Sequence, residues 1–179
     1  MRILKKLLLF VVAVFAILLI AGLFVKKDYA VEKEVVIHRS QDDVFRYLKM
    51  VKNQDNFSVW NKKDPNAKKE YKGTDGQVGF IASWDSTNKE VGKGEQEIIS
   101  MDENKRIDLK LRFKEPIAAE DNAYFITDKA GLYETKVKWG FKGHMDYPMN
   151  LMLLTFDMDK EVGGALQTGL ENLKTILEE

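Results

Sequence analysis

At 179 residues, 45% hydrophobic and 11% aromatic, the chain is globular in composition, and it has room for one domain of about 150 residues once an apolar N-terminal segment is set aside. Its formal net charge of zero hides an asymmetry: residues 1–27 hold five basic and no acidic side chains, leaving residues 28–179 with 23 basic against 28 acidic, a net of −5, a balance that argues against nucleic acid as a partner. No cysteine is present, which excludes disulfides, thiolate metal sites, cysteine nucleophiles and a lipid-modified cysteine anchor.

Leu7–Val25 is an unbroken run of 19 apolar or glycine residues, flanked by Arg2, Lys5 and Lys6 before it and Lys26 and Lys27 after it. About 20 such residues in a helix cross a bilayer core of roughly 30 Å. A cleaved signal sequence is the competing reading. Its apolar stretch would be only about 7–15 residues and would end in a small-x-small site, whereas here Leu23, Phe24 and Val25 follow the small pair Ala21-Gly22. The expectation is a single-pass membrane anchor over residues 1–27, reaching the membrane through residues 7–25, and a domain over residues 28–179. More basic residues before the run than after it favour a cytoplasmic N-terminus and an extracytoplasmic (periplasmic or outer) domain.

Tyr29–Ile37 alternates in part (Val31, Val35, Ile37) and predicts a first strand. Ser40 with Asp43 three residues on is a capping-box-like helix start, and Val44, Phe45, Leu48 and Met50 or Val51 form the apolar face that follows. A second short helix or turn carries Phe57, Val59 and Trp60 and ends at Asp64-Pro65. The punctuation then becomes that of an antiparallel meander. Its predicted strands are Lys68–Gly73, Gly79–Ser86, Glu90–Met101, Arg106–Phe113, Ala123–Thr127 and Tyr133–Gly143. Arg106–Phe113 alternates most cleanly, with Ile107, Leu109, Leu111 and Phe113 inward, the pattern of a sheet with one buried and one wet face. Six strands in a row leave no room for parallel crossovers. Pro148–Phe156, apolar nearly all round, is either packed into the core or a Met-rich lid over an apolar opening.

The last segment, Asp157–Glu179, repeats Met158, Val162, Ala165, Leu166, Gly169, Leu170, Leu173, Ile176 and Leu177 at helical spacing, a single apolar stripe. Gly163, Gly164 and Gly169 thin that stripe and let something else approach the helix closely. The strands are expected to wrap around this helix.

One strand, two short helices, six antiparallel strands and a long C-terminal helix resemble the START-like, SRPBCC superfamily with its helix-grip fold. Local stretches look like its polyketide cyclase/dehydrase and lipid transport branch, including membrane-anchored bacterial members: Val36-Ile37 leading into Ser40 and Val44-Phe45-Arg46-Tyr47; Phe57-Ser58-Val59-Trp60-Asn61 with Asp64-Pro65; Val91-Gly92-Lys93-Gly94; Lys138-Trp139 with Gly143; and Gly169-Leu170-Glu171-Asn172-Leu173-Lys174. The resemblance covers residues 29–179. It implies an α+β fold in which a curved sheet of about seven strands grips the C-terminal helix over an elongated apolar cavity. The candidate lining is Trp60, Phe80, Trp84, Phe113, Phe125, Trp139 and Phe141 from the grip, with Met152, Phe156, Leu166 and Leu170 from the lid and helix. Because the superfamily hosts carriers, receptors and cyclases alike, it does not by itself assign an activity.

Catalytic signals are sparse. His38 and His144 lie about a hundred residues apart without a third ligand in register, so no metal is expected, and with no phosphate loop or dinucleotide fingerprint no cofactor either. Gly92-x-Gly94 lies in a predicted strand and reads as a bulge or bend. Glu95 and Glu97 share one face. Inward they would be acids in an apolar pocket with raised pKa; outward, solvated charges. Asn61 and Asp64 read as turn caps. The sequence therefore favours a membrane-anchored binding module for a hydrophobic or lipid-like small molecule. An aromatic cyclase or dehydratase using Glu95, Glu97 or Tyr124, and a ligand-free envelope interaction scaffold, are the alternatives.

Overall fold

The computed structural model describes residues 2–179. Helix α1 (Arg2–Gly22) leads into strand β1 (Asp28–Ile37), then the short helices α2 (Gln41–Lys49), α3 (Gln54–Phe57) and α4 (Val59–Lys63). Strands β2 (Lys68–Lys72), β3 (Ile81–Asp85), β4 (Lys93–Asp102), β5 (Arg106–Glu115), β6 (Ala119–Lys129) and β7 (Thr135–His144) follow, and α5 (Gly164–Glu178) closes the chain. All seven strands form one antiparallel sheet in the order β1-β7-β6-β5-β4-β3-β2. The meander pairs each strand with the next, and β1 closes onto β7. This is the helix-grip architecture expected from the sequence.

The register defines two ends. At the near end, Asp28 lies opposite His144, Phe113 opposite Ala119, Lys93 opposite Glu115 and Lys68 opposite Asp85. At the far end, Ile37 lies opposite Thr135, Asp102 opposite Arg106 and Lys72 opposite Ile81. Helix α1 enters at the near end. Helix α5 runs from near to far: Gly163 sits against Val31 and Lys33, whereas the Glu178 carboxylate accepts from the His38 backbone N–H at 2.7 Å.

Helix α2 plugs the far end. Ser40 caps it, its hydroxyl accepting from the Asp43 N–H at 3.3 Å. The Gln41 side-chain amide donates to the Asn104 and Thr127 carbonyls at 2.5 and 2.7 Å, tying the helix to the β4–β5 turn and to β6. Its buried face (Val44, Phe45, Leu48) meets Ile37, Ile107, Phe125, Val137, Leu170 and Leu173 in one core cluster.

Several elements depart from the sequence expectation. Strand β6 runs Ala119–Lys129 rather than Ala123–Thr127, its buried Asp121 accepting a 2.9 Å hydrogen bond from the Tyr29 hydroxyl. Gly143 makes room for that pair; a Cβ there would overlap both side chains. Strand β4 starts at Lys93, not Glu90. Gly92 belongs to the preceding turn with φ of 61°, a left-handed conformation suited to glycine, and the expected bulge falls between Lys93 and Gly94. The C-terminal helix opens with a wide π turn at Asp159–Gly163. Pro148–Phe156 is neither core nor simple lid: Met149–Leu154 forms a 3-10 segment whose buried Asn150 grips the end of α1 while Met149, Met152 and Leu154 face outward.

Candidate functional site

A cavity of about 580 Å³ lies between the near half of the sheet and the start of the C-terminal helix, within the range of about 300–1,000 Å³ usual for small-molecule sites. Its walls are mainly apolar. Alternation along the strands turns Ala82, Trp84, Leu109, Leu111, Phe113, Ala123, Trp139 and Phe141 inward; Trp60 comes from α4, and Val162 and Leu166 come from the first turns of the helical segment. Trp84 and Phe113 meet edge to face at 6.0 Å, as do Trp60 and Trp139 at 6.2 Å. The Trp84 indole N–H donates to the Val91 carbonyl at 3.1 Å, which fixes the ring against the β3–β4 turn.

Trp139 marks the boundary between hollow and filled space. Its other neighbours are Phe57 at 5.6 Å and Phe125 at 4.9 Å, both in the closed core. Gly169 lets α5 ride directly over this ring, since a Cβ there would stand 2.6 Å from it.

Of the eleven residues predicted to line the cavity, Trp60, Trp84, Phe113, Trp139, Phe141, Phe156 and Leu166 are brought together around it. The other four lie elsewhere. Phe80 is sealed against Tyr71, stacked at 6.1 Å. Phe125 and Leu170 are buried in the far core. Met152 is turned outward because the 3-10 segment commits its inner side to α1.

Sequence reasoning missed the polar wall. Gln54 is 95% buried, with 5% of its surface exposed. It lines the cavity, and its amide nitrogen has no hydrogen-bond partner among the described residues. Gln96 faces the same space from β4. The alternation held the signal for Gln96: once Glu95 and Glu97 point outward, the residue between them points in. Asp55 stands at this wall too, accepting from Asn61 at 2.5 Å and paired with Lys69 at 2.7 Å.

Glu95 and Glu97 take the outward reading. They pair with Arg112 at 3.3 and 2.6 Å, and Lys114 bonds Glu95 at 3.0 Å. The Lys114 bond holds the Glu95 carboxyl below its usual range, the opposite of an acid kept protonated for proton transfer. Tyr124 also lies on the outer face, over Gly140, and donates to Glu32 at 2.6 Å. Burial, then that bond, push its hydroxyl pKa up to about 12. None of the three reaches the cavity, so the cyclase-like arrangement lacks the groups proposed for it. Asp64 accepts from Ser86 at 2.5 Å and from the Asn66 N–H at 3.1 Å, a turn cap. His38 and His144 stand at strand ends bonded to carboxylates, and among the described residues no cluster of three or more His, Asp or Glu side chains could hold a metal.

No family model matches the chain, nor does any curated protein sequence. Solved structures do. The chain is similar to truncated norcoclaurine synthase from Thalictrum flavum (TM-score 0.61, 15% identity, 87% of this chain and 98% of that one). It is also similar to the Aha1 dimer protein of Colwellia psychrerythraea (TM-score 0.55, 15% identity, 84% and 96%) and to a hypothetical protein of Helicobacter pylori (TM-score 0.59, 13% identity, 84% and 89%). At such identities the likeness is one of fold, and the fold is helix-grip.

Proposed function

We propose that the chain is a membrane-anchored, non-catalytic binding module: residues 1–27 hold it in a bilayer, and residues 28–179 enclose a hydrophobic or lipid-like small molecule. The observation that carries this reading is the aromatic-walled cavity at the same end of the sheet as α1. Helix α1 is long and apolar enough to cross a membrane, its 21 residues reaching about 32 Å at 1.5 Å each. Its surface is exposed except near its last turn. The basic excess before it favours an extracytoplasmic domain. Burying a ligand's apolar surface gains about 25 cal/mol per Å². A place in the lipid transport branch of the superfamily accords with all of these.

The chain's three tryptophans, Trp60, Trp84 and Trp139, all line the cavity, so their fluorescence reports its contents. A brominated long-chain fatty acid added to the full chain in nanodiscs should quench the wild type strongly. It should quench a cavity-filled Ala82→Leu/Ala123→Leu variant far less. Equal quenching of the two contradicts binding in this cavity.

A further inference from the structure

The join between α1 and the domain is a clasp rather than a tether. Asn150, fully buried, donates its side-chain amide to the Gly22 and Val25 carbonyls at 2.8 and 3.1 Å, oxygens of the kind a helix C-terminus leaves unpaired. Leu151 packs onto Gly22, where an added Cβ would stand 3.0 Å from its Cγ. The Met145 N–H donates to the Lys27 carbonyl at 2.8 Å. Only residues 23–27 separate α1 from β1. The near end of the sheet is therefore held wherever the C-terminal end of α1 lies.

The cavity reaches the surface at that same end. Ile117 of the β5–β6 turn and Phe156 stand at its edge, 53% and 42% exposed, and Leu154 beside Phe156 is 62% exposed. Lys26 and Lys27 are exposed at this level too, as suits an anionic headgroup layer. Two of the nearby acids, Asp28 and Asp146, are taken up by His144 at 2.7 and 3.3 Å. The apolar rim, the basic pair and the clasped helix end thus all lie at the near end of the sheet.

We propose that this rim, formed by Ile117, Leu154 and Phe156, is seated in the interfacial layer of the bilayer that holds α1, so that an apolar ligand passes between leaflet and cavity without crossing water. This rests on the anchoring reading, and the test separates the two. The chain is naturally free of cysteine, so single-cysteine variants can carry an environment-sensitive NBD label in the full chain. The host is a nanodisc of equal parts phosphatidylcholine and phosphatidylglycerol. Phe15→Cys reports the helix, Ile117→Cys and Leu154→Cys the rim. Leu132→Cys reports the far end, where that side chain is 77% exposed in the β6–β7 turn. The proposal expects blue-shifted emission, several-fold brighter and quenched by nitroxide-labelled lipid, at positions 15, 117 and 154, with a water-like signal at 132. If either rim label reads like position 132 while position 15 reads as bilayer, the rim proposal is overturned and anchoring stands. If position 15 also reads as water, anchoring falls and takes the proposal with it.

Discussion

The far and near halves of the interior are built from the same sheet and the same helix, yet one is filled and the other is hollow. In the far half, α2 supplies Val44, Phe45 and Leu48, which close against Phe125, Val137 and the α5 residues Leu170 and Leu173. In the near half α4 buries no side chain fully, its Trp60 standing at the cavity wall, and Val162 and Leu166 face Trp84, Phe113 and Phe141 across open volume. The pair Phe125 and Trp139, directly opposite each other on β6 and β7, shows how sharp the change is, since only Trp139 of the two reaches the cavity. Hollowness here is a property of what covers the sheet, not of the sheet's own composition.

The largest test of that contrast is truncation of an aromatic in each half. Phe125→Ala should cost about 3–5 kcal/mol in urea unfolding, the range for a fully buried ring. Trp84→Ala should cost clearly less, because the ring it removes borders existing space, while ligand retention should drop. Equal costs would erase the distinction. The next test adds volume. Ala82→Leu, which grows into the cavity, should change stability by less than about 1 kcal/mol. Gly169→Ala drives a methyl onto the Trp139 ring and should cost about 1–3 kcal/mol, the usual price of overpacking.

The smallest effects come from the two ends' charged groups. At the far end, the Lys174 hydrogen bond, then the His38 backbone N–H, hold the exposed Glu178 carboxyl at about 2 rather than 4.5. Its contribution to stability is therefore complete above pH 4.5 and fades as pH falls toward 2. At the near end, the Asp28 hydrogen bond raises exposed His144 above 6.5. The sign reverses: its contribution is complete below pH 6.5 and is lost as pH rises through the folded-state value. Titration of the two groups by NMR should show both displacements, and Lys174→Met and Asp28→Asn should each move the corresponding value back toward normal.

The periodic parts of this architecture were legible in the sequence because one face of each element is buried. The stripe Val162, Leu166, Leu170 and Leu173 and the alternation Ile107, Leu109, Leu111 and Phe113 both appear as read. The start of β6 was not legible, since Asp121 is satisfied by a tyrosine 92 residues away. Nor could local pattern sort the aromatics. Phe80 and Trp84 share a face four residues apart, yet Phe80 is sealed by Tyr71 while Trp84 borders the cavity. Their fates depend on where other elements pack. Asn150, between Met149 and Leu151 in an apolar stretch, carried a signal that went unused: a lone amide there needs partners, and the end of α1 supplies them.

Native mass spectrometry of the full chain, released from membranes in a mild detergent, tests the hollow near half most directly when wild type and Ala82→Leu/Ala123→Leu are compared. A small amphiphile should be retained, one per chain, by the wild type and be absent from the filled variant. Two bare chains, or the same adduct on both, would contradict this expectation.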